Sequence, residues 1–141
     1  MKAALLEAAG KLEIREVERP ALKGPDWALI KVRAVGICGS EIHAFKGTHP
    51  FRKPPSILGH EVTGDIIQVG SDVPGFEVGD RVFVDPQWTC GECAWCTSGR
   101  HNLCPSKVVM GTTGWIGGLG ETIVAPAPAL YPLPAHVSYV E

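Results

Sequence analysis

Trp27-Ala-Leu-Ile-Lys-Val-Arg-Ala-Val35 is the stretch that decides the fold class. Its residues alternate with a period of two, which sends successive side chains to opposite faces of an extended strand. Working outward, Leu12 to Val17, Glu61 to Val69, Asp80 to Val84 and Glu121 to Val124 are also short and rich in β-branched residues. Between them stand Gly24-Pro25-Asp26, Pro54-Pro55, Pro74-Gly75 and Gly79-Asp80, which is turn chemistry. Seventeen glycines and twelve prolines are spread between these runs, so the expectation is a mainly β domain with many turns rather than disorder. A small, strongly curved or partly open barrel-like sheet is expected. The one helix predicted is short, around Ser40 to Phe45. Pro126 to Pro134 cannot be helical and reads as an extended exit strand or linker.

The bulk numbers exclude several partner classes. A chain of 141 residues suits one domain that buries roughly two-thirds of its unfolded surface. A net charge of −2 and a pI near 6.2 leave no electrostatic footprint for nucleic acid. No apolar run approaches the roughly 20 residues that span a bilayer, so no membrane partner is expected. The opening Met1-Lys2-Ala3-Ala4-Leu5-Leu6-Glu7 meets an acid too early for a signal peptide. A cytoplasmic location with reduced thiols is the expectation.

Four of the five cysteines fall within fifteen residues, as Cys90, Cys93, Cys96 and Cys104. The spacing C-x2-C-x2-C-x7-C lets a chain wrap one tetrahedral ion with sulfur about 2.3 Å away. The intervening residues show no apolar period, so the segment from 88 to 105 reads as a loop held by metal rather than by a core. Disulfides and an iron–sulfur cluster are the alternatives. The first argues against itself in a reducing compartment. The second would want three residues before the last cysteine, where seven stand here. Zinc is favoured.

The fifth cysteine lies apart, in Gly36-Ile37-Cys38-Gly39-Ser40-Glu41-Ile42-His43, and Gly59-His60-Glu61 follows 22 residues later. Cysteine, histidine and carboxylate form a ligand set for a catalytic zinc that keeps one position open. Taken singly, Cys38 also fits a buried small hydrophobe and His60 a satisfied core or turn histidine.

These segments, with Val78-Gly79-Asp80-Arg81-Val82 and the four-cysteine loop, occur in the order typical of the zinc-dependent medium-chain dehydrogenases/reductases. The chain resembles the N-terminal GroES-like catalytic domain of that alcohol dehydrogenase superfamily, nearest in motif to its polyol and threonine dehydrogenase branch. The resemblance implies a GroES-like fold over 1–141 and two Zn2+ per chain. Cys38 and His60 would hold the catalytic zinc, with Glu61 a third or exchanging ligand. Cys90, Cys93, Cys96 and Cys104 would hold the structural one. It further implies that Ser40 hydrogen-bonds the substrate oxygen and takes its proton, and that His43 passes it to solvent. The family usually has aspartate where Glu41 stands, orienting the ligand histidine. The implied activity is oxidation of a small alcohol or polyol with NAD or NADP, in a full-length enzyme that is a homo-oligomer.

A hydride acceptor needs a Rossmann domain, and none is legible. Gly118-Leu119-Gly120 opens a G-x-G, but Ile123 stands at the third glycine position and no βαβ unit follows. The chain alone is therefore expected to be nearly inactive. A stand-alone zinc-binding module is the alternative. A chaperonin-like role would not need Cys38, His60 and Glu61, and a zinc-ribbon nucleic-acid binder would carry more basic and stacking residues. His49, His101 and His136 read as surface residues, and Trp88 and Trp115 either line a substrate pocket or pack the loop on the sheet.

Overall fold

The computed structural model describes residues 1–141. In chain order its elements are β1 (Lys2–Ala8), β2 (Lys11–Glu16), β3 (Trp27–Gly36), α1 (Gly39–Phe45), β4 (Ser56–Ile57), β5 (Glu61–Val69), β6 (Arg81–Val84), β7 (Gln87–Trp88), α2 (Ala94–Thr97), β8 (Val108–Val109), β9 (Thr122–Pro126) and β10 (Leu130–Pro132). The five runs read as strands are strands, and the short helix sits where it was expected. The Pro126–Pro134 segment is not wholly extended, because Ala127–Ala129 makes a single 3-10 turn before β10.

Five strands form one antiparallel sheet in the order β10-β6-β5-β3-β9. The pairing of β3 with β5 shifts register between Leu29 and Ile30 and again between Val32 and Ala34. Such bulges raise local twist and let a sheet curl, which gives the expected half-barrel. A second sheet, β2-β1-β4, is tied to it where Ala3 bridges Gly120 and the Ala4 N–H donates to the Leu119 carbonyl at 2.7 Å.

The alternation of β3 holds only in part. Trp27, Ala28, Leu29 and Ile30 are all buried. Ala28 and Ile30 face the main core with Val62, Ile66, Val82 and Ile123. Trp27 and Leu29 face the other way, where Leu22, Ile67 and Trp88 cover them. This strand therefore has a core on each face. Trp27 meets Trp88 edge-on at 5.1 Å and Trp115 at 6.4 Å. Trp115 is buried and donates its indole N–H to the Val124 carbonyl at 2.7 Å. Both Trp88 and Trp115 thus pack against the cores of the sheet.

The exit segment is strapped down by polar groups. Arg81 donates to the carbonyls of Pro134, Ala135 and Val137 and lies over the Tyr139 ring at 4.4 Å. Asp65 accepts from the Tyr139 hydroxyl and from Arg33 Nε at 2.6 Å. Burial pushes the Asp65 carboxyl up, but the bonds from Tyr139 and Arg33 outweigh it and hold it below the ordinary value. A depressed carboxyl stabilises the fold above its unfolded pKa, about 3.9, and loses that effect as pH falls through the folded value. Asp65→Asn is therefore expected to cost about 1–2 kcal/mol at neutral pH in urea unfolding. The gap from the parent should close below about pH 4. A gap independent of pH would contradict the ion-pair account.

Candidate metal centres

The first centre is built from two adjacent antiparallel strands. Gly36, at the end of β3, pairs with Glu61, at the start of β5. Cys38 lies two residues beyond the one and His60 one residue before the other, so a 22-residue separation in sequence closes at a single sheet end. Gly59 takes φ +92°, and a Cβ there would stand 2.9 Å from Val35 Cγ2 and 3.0 Å from the Leu119 nitrogen. Only glycine permits that turn and that approach.

The donor atoms of Cys38, Glu41 and His60 all lie within 4.8 Å of one another. Glu41 is at the third position of α1 and is buried. One carboxylate oxygen bonds His60 Nδ1 at 2.9 Å, and the other accepts the Cys38 backbone N–H at 3.1 Å and the Ser40 hydroxyl at 3.2 Å. With Nδ1 engaged, His60 keeps Nε2 for a cation, the arrangement in which a carboxylate fixes the tautomer of a ligand histidine. The extra methylene of glutamate, compared with aspartate, does not prevent this contact. Burial pushes the Glu41 carboxyl up, yet the His60 bond and the nearby Arg52 charge bring it below the ordinary value.

Glu61, expected as a ligand, is not among the three converging groups. It is exposed, and its carboxylate folds over Gly36. It shares with His60 the wall of a groove of about 650 Å³ that also takes in Val62, Phe83, Pro86 and Tyr139. Ser40 lies at the centre, beside Glu41. His43 is exposed one turn further along α1, with Nδ1 3.2 Å from Thr48 Oγ1. His101 and His136 are exposed as read, whereas His49 is partly buried and accepts the backbone N–H groups of Phe51 and Arg52 at 3.1 and 2.9 Å.

Arg52, a residue type that ordinarily sits in solvent, is 4% exposed here. Its guanidinium lies 3.5 Å from Glu41, donates to the Ser40 hydroxyl, and donates to the Met110 carbonyl at 3.2 Å. No local signal marks it, because it sits between Phe51 and Lys53 in an unpatterned stretch.

The second centre is the cysteine loop. Cys96 and Cys104 are buried, Cys93 is half-buried and Cys90 exposed. Sulfur atoms stand 3.5 Å apart for Cys93–Cys96, 3.6 Å for Cys104–Cys90 and 3.9 Å for Cys90–Cys96. A tetrahedron with bonds of about 2.3 Å has edges of about 3.8 Å, so the four thiols fit one zinc-sized ion. Disulfide sulfurs would be bonded at about 2.05 Å. A cluster carries its thiolates on separate irons and would hold them farther apart. The loop is not wholly irregular: α2 supplies one helical turn that brings Cys93 and Cys96 to the same side. Backbone N–H groups of Cys93 and Glu92 draw the Cys90 thiol down to about 6, while burial pushes Cys96 up to about 11. A cation must displace the Cys96 proton, so its hold weakens in acid.

Residues 24–135 match the family described as alcohol dehydrogenase GroES-like domain. Sorbitol dehydrogenase of Bacillus subtilis is 41% identical over 145 residues, covering 100% of this chain and 40% of that protein. Among solved structures, the alcohol dehydrogenase TADH of Thermus sp. ATN1 superposes with a TM-score of 0.90 at 32% identity, covering 99% of this chain and 42% of that one. A short chain alcohol dehydrogenase of Escherichia coli CFT073, solved with NADH, gives 0.88 at 37% identity, covering 99% and 40%. The chain spans about two-fifths of the length of these relatives.

Proposed function

This chain belongs to the alcohol dehydrogenase GroES-like domain family, and from that premise we propose that it is the catalytic domain of a zinc-dependent dehydrogenase oxidising a small alcohol or polyol. The observation that carries the proposal is the convergence of Cys38 and His60, with Glu41 fixing the imidazole, beside a groove open to a substrate. A divalent cation held there supplies Lewis-acid charge stabilisation to an oxygen that would otherwise be far too weak an acid at neutral pH. Cys38 and His60 hold it, and Glu41 keeps His60 in the tautomer that frees Nε2. Ser40 would accept the hydrogen bond of the substrate hydroxyl, and His43, exposed on α1, would hand the released proton to solvent. Glu61, on the groove wall next to His60, is the candidate exchanging ligand. Cys90, Cys93, Cys96 and Cys104 hold a second, structural zinc.

The hydride acceptor is NAD or NADP bound by a Rossmann domain outside these 141 residues. The working enzyme is a cytoplasmic homo-oligomer with no nucleic-acid or membrane partner. No helix is long and apolar enough to cross a membrane. Nicotinamide titration tests the division of labour. The 141-residue chain should not bind NADH or NADPH, and a longer version carrying a nucleotide domain should bind one of them and oxidise a polyol. A longer version that binds the cofactor but oxidises no alcohol or polyol would contradict the proposal and favour a stand-alone zinc module.

A further inference from the structure

We infer that Arg52 is a positioning residue for the first centre, holding the Ser40 hydroxyl and the Glu41 carboxylate in the orientation that the Cys38–His60 pair requires. The inference rests on the metal reading above and goes beyond it. Arg52 and Glu41 are each 4% exposed. Burying such charges costs several kcal/mol per ion unless they are paired and hydrogen-bonded. Arg52 is paired, but not to its own best advantage. Its Nε is buried with no hydrogen-bond partner in the protein, as the Arg81 Nε is too. The guanidinium instead spends Nη1 on Ser40 and Glu41 and Nη2 on Met110.

The consequence at Ser40 follows from its inventory of one hydrogen and two lone pairs. Arg52 donates into one lone pair, and the hydroxyl hydrogen points to Glu41. One lone pair is left, the one a substrate hydroxyl would donate to. Without Arg52 only the Glu41 bond orients the hydroxyl, and the remaining acceptor is held in one direction less tightly. The consequence at Glu41 is electrostatic. Its carboxylate serves His60 and Arg52 through the same oxygen. The positive guanidinium cancels the negative carboxylate, so the group that orients His60 adds no net charge beside the cation. The backbone of Arg52 is pinned in turn by His49 Nδ1 at 2.9 Å, which gives that histidine a role in the same support.

Cobalt titration of the 141-residue chain, with zinc left in the cysteine loop, tests this without reference to turnover. The parent should show a thiolate-to-cobalt absorption band from Cys38, and Cys38→Ser should lose it. Arg52→Met should weaken cobalt binding at this centre about 10- to 100-fold, the usual cost of losing an outer hydrogen-bonded partner. Zinc in the cysteine loop should stay at the parent level. Arg52→Lys keeps the charge but not the fork, and should fall between the two. If Arg52→Met does not fold, Arg52→Lys decides: a reduced affinity supports the inference, and parental affinity with an unchanged band overturns it. A folded Arg52→Met with parental affinity overturns it as well. A parent chain with no such band overturns the metal reading together with this inference, whereas a parental band indifferent to Arg52 overturns the inference alone.

Discussion

Cys93→Ser is expected to dismantle the cysteine loop. Three thiols cannot close a tetrahedral structural site, and such a site contributes on the order of 10 kcal/mol of apparent binding energy that is coupled to ordering its chain. The segment has little else to hold it. Of its residues only Cys96 and Cys104 are fully buried between Gly91 and Ser106, and its regular structure amounts to α2 and the 3-10 turn His101–Leu103. Gly91, at φ +77°, supplies a tight turn that nothing holds once no ion draws Cys90 and Cys93 together. Trypsin should therefore cut the variant at Arg100 under conditions where the parent resists. The strands should survive, because the main core is built from Ile30, Val62, Ile66, Val82 and Ile123 and does not depend on the loop. Loss of circular dichroism from the sheet in parallel with cleavage would contradict this separation, and so would unchanged resistance at Arg100.

His60→Ala should have the largest effect on chemistry. It removes one of two strong cation ligands and leaves the Glu41 oxygen that accepted its Nδ1 with Arg52 alone. Lewis-acid stabilisation of a developing oxygen charge is worth several kcal/mol, so kcat of a full-length protein carrying the change should fall by on the order of 10³ or more. The fold should hold, since His60 lies at the open end of the sheet rather than in the core. Nicotinamide binding should be unchanged, because nothing in this chain is assigned to it. A variant that keeps activity within about tenfold of the parent would contradict the assignment of the first centre.

How much of this was legible beforehand depends on where each signal lies. The five long strands and α1 follow from local patterning and turn residues. The cysteine loop follows from spacing alone, and its sulfur distances match that reading. Strand β1 carries Lys-Ala-Ala-Leu-Leu-Glu-Ala, a composition that favours helix. It becomes a strand because β2 and β4 pair with it on both sides, which no local window reveals. The short strands β7 and β8 exist only through each other.

At the first centre, Cys38 and His60 stood out by type and flanking glycines. That the longer Glu41 still meets His60 is not legible, because side-chain reach across the β3–β5 end cannot be read from a list of residues. Glu61 drew attention by adjacency to His60, yet its carboxylate lies over Gly36 and the carboxylate that converges with Cys38 and His60 comes from α1. Arg52 was invisible. Its partners lie 12 residues back at Ser40 and 58 residues ahead at Met110, and nothing in its own surroundings distinguishes a buried cation from a solvated one.

Elemental analysis of the purified 141-residue chain, read beside its His60→Ala variant, bears most directly on whether two cations are held at two sites. Two zinc ions per parent chain and one per variant is the outcome that follows from the convergence of Cys38 and His60 and the separate thiol tetrahedron. One zinc in both proteins, or iron in place of zinc, would contradict it.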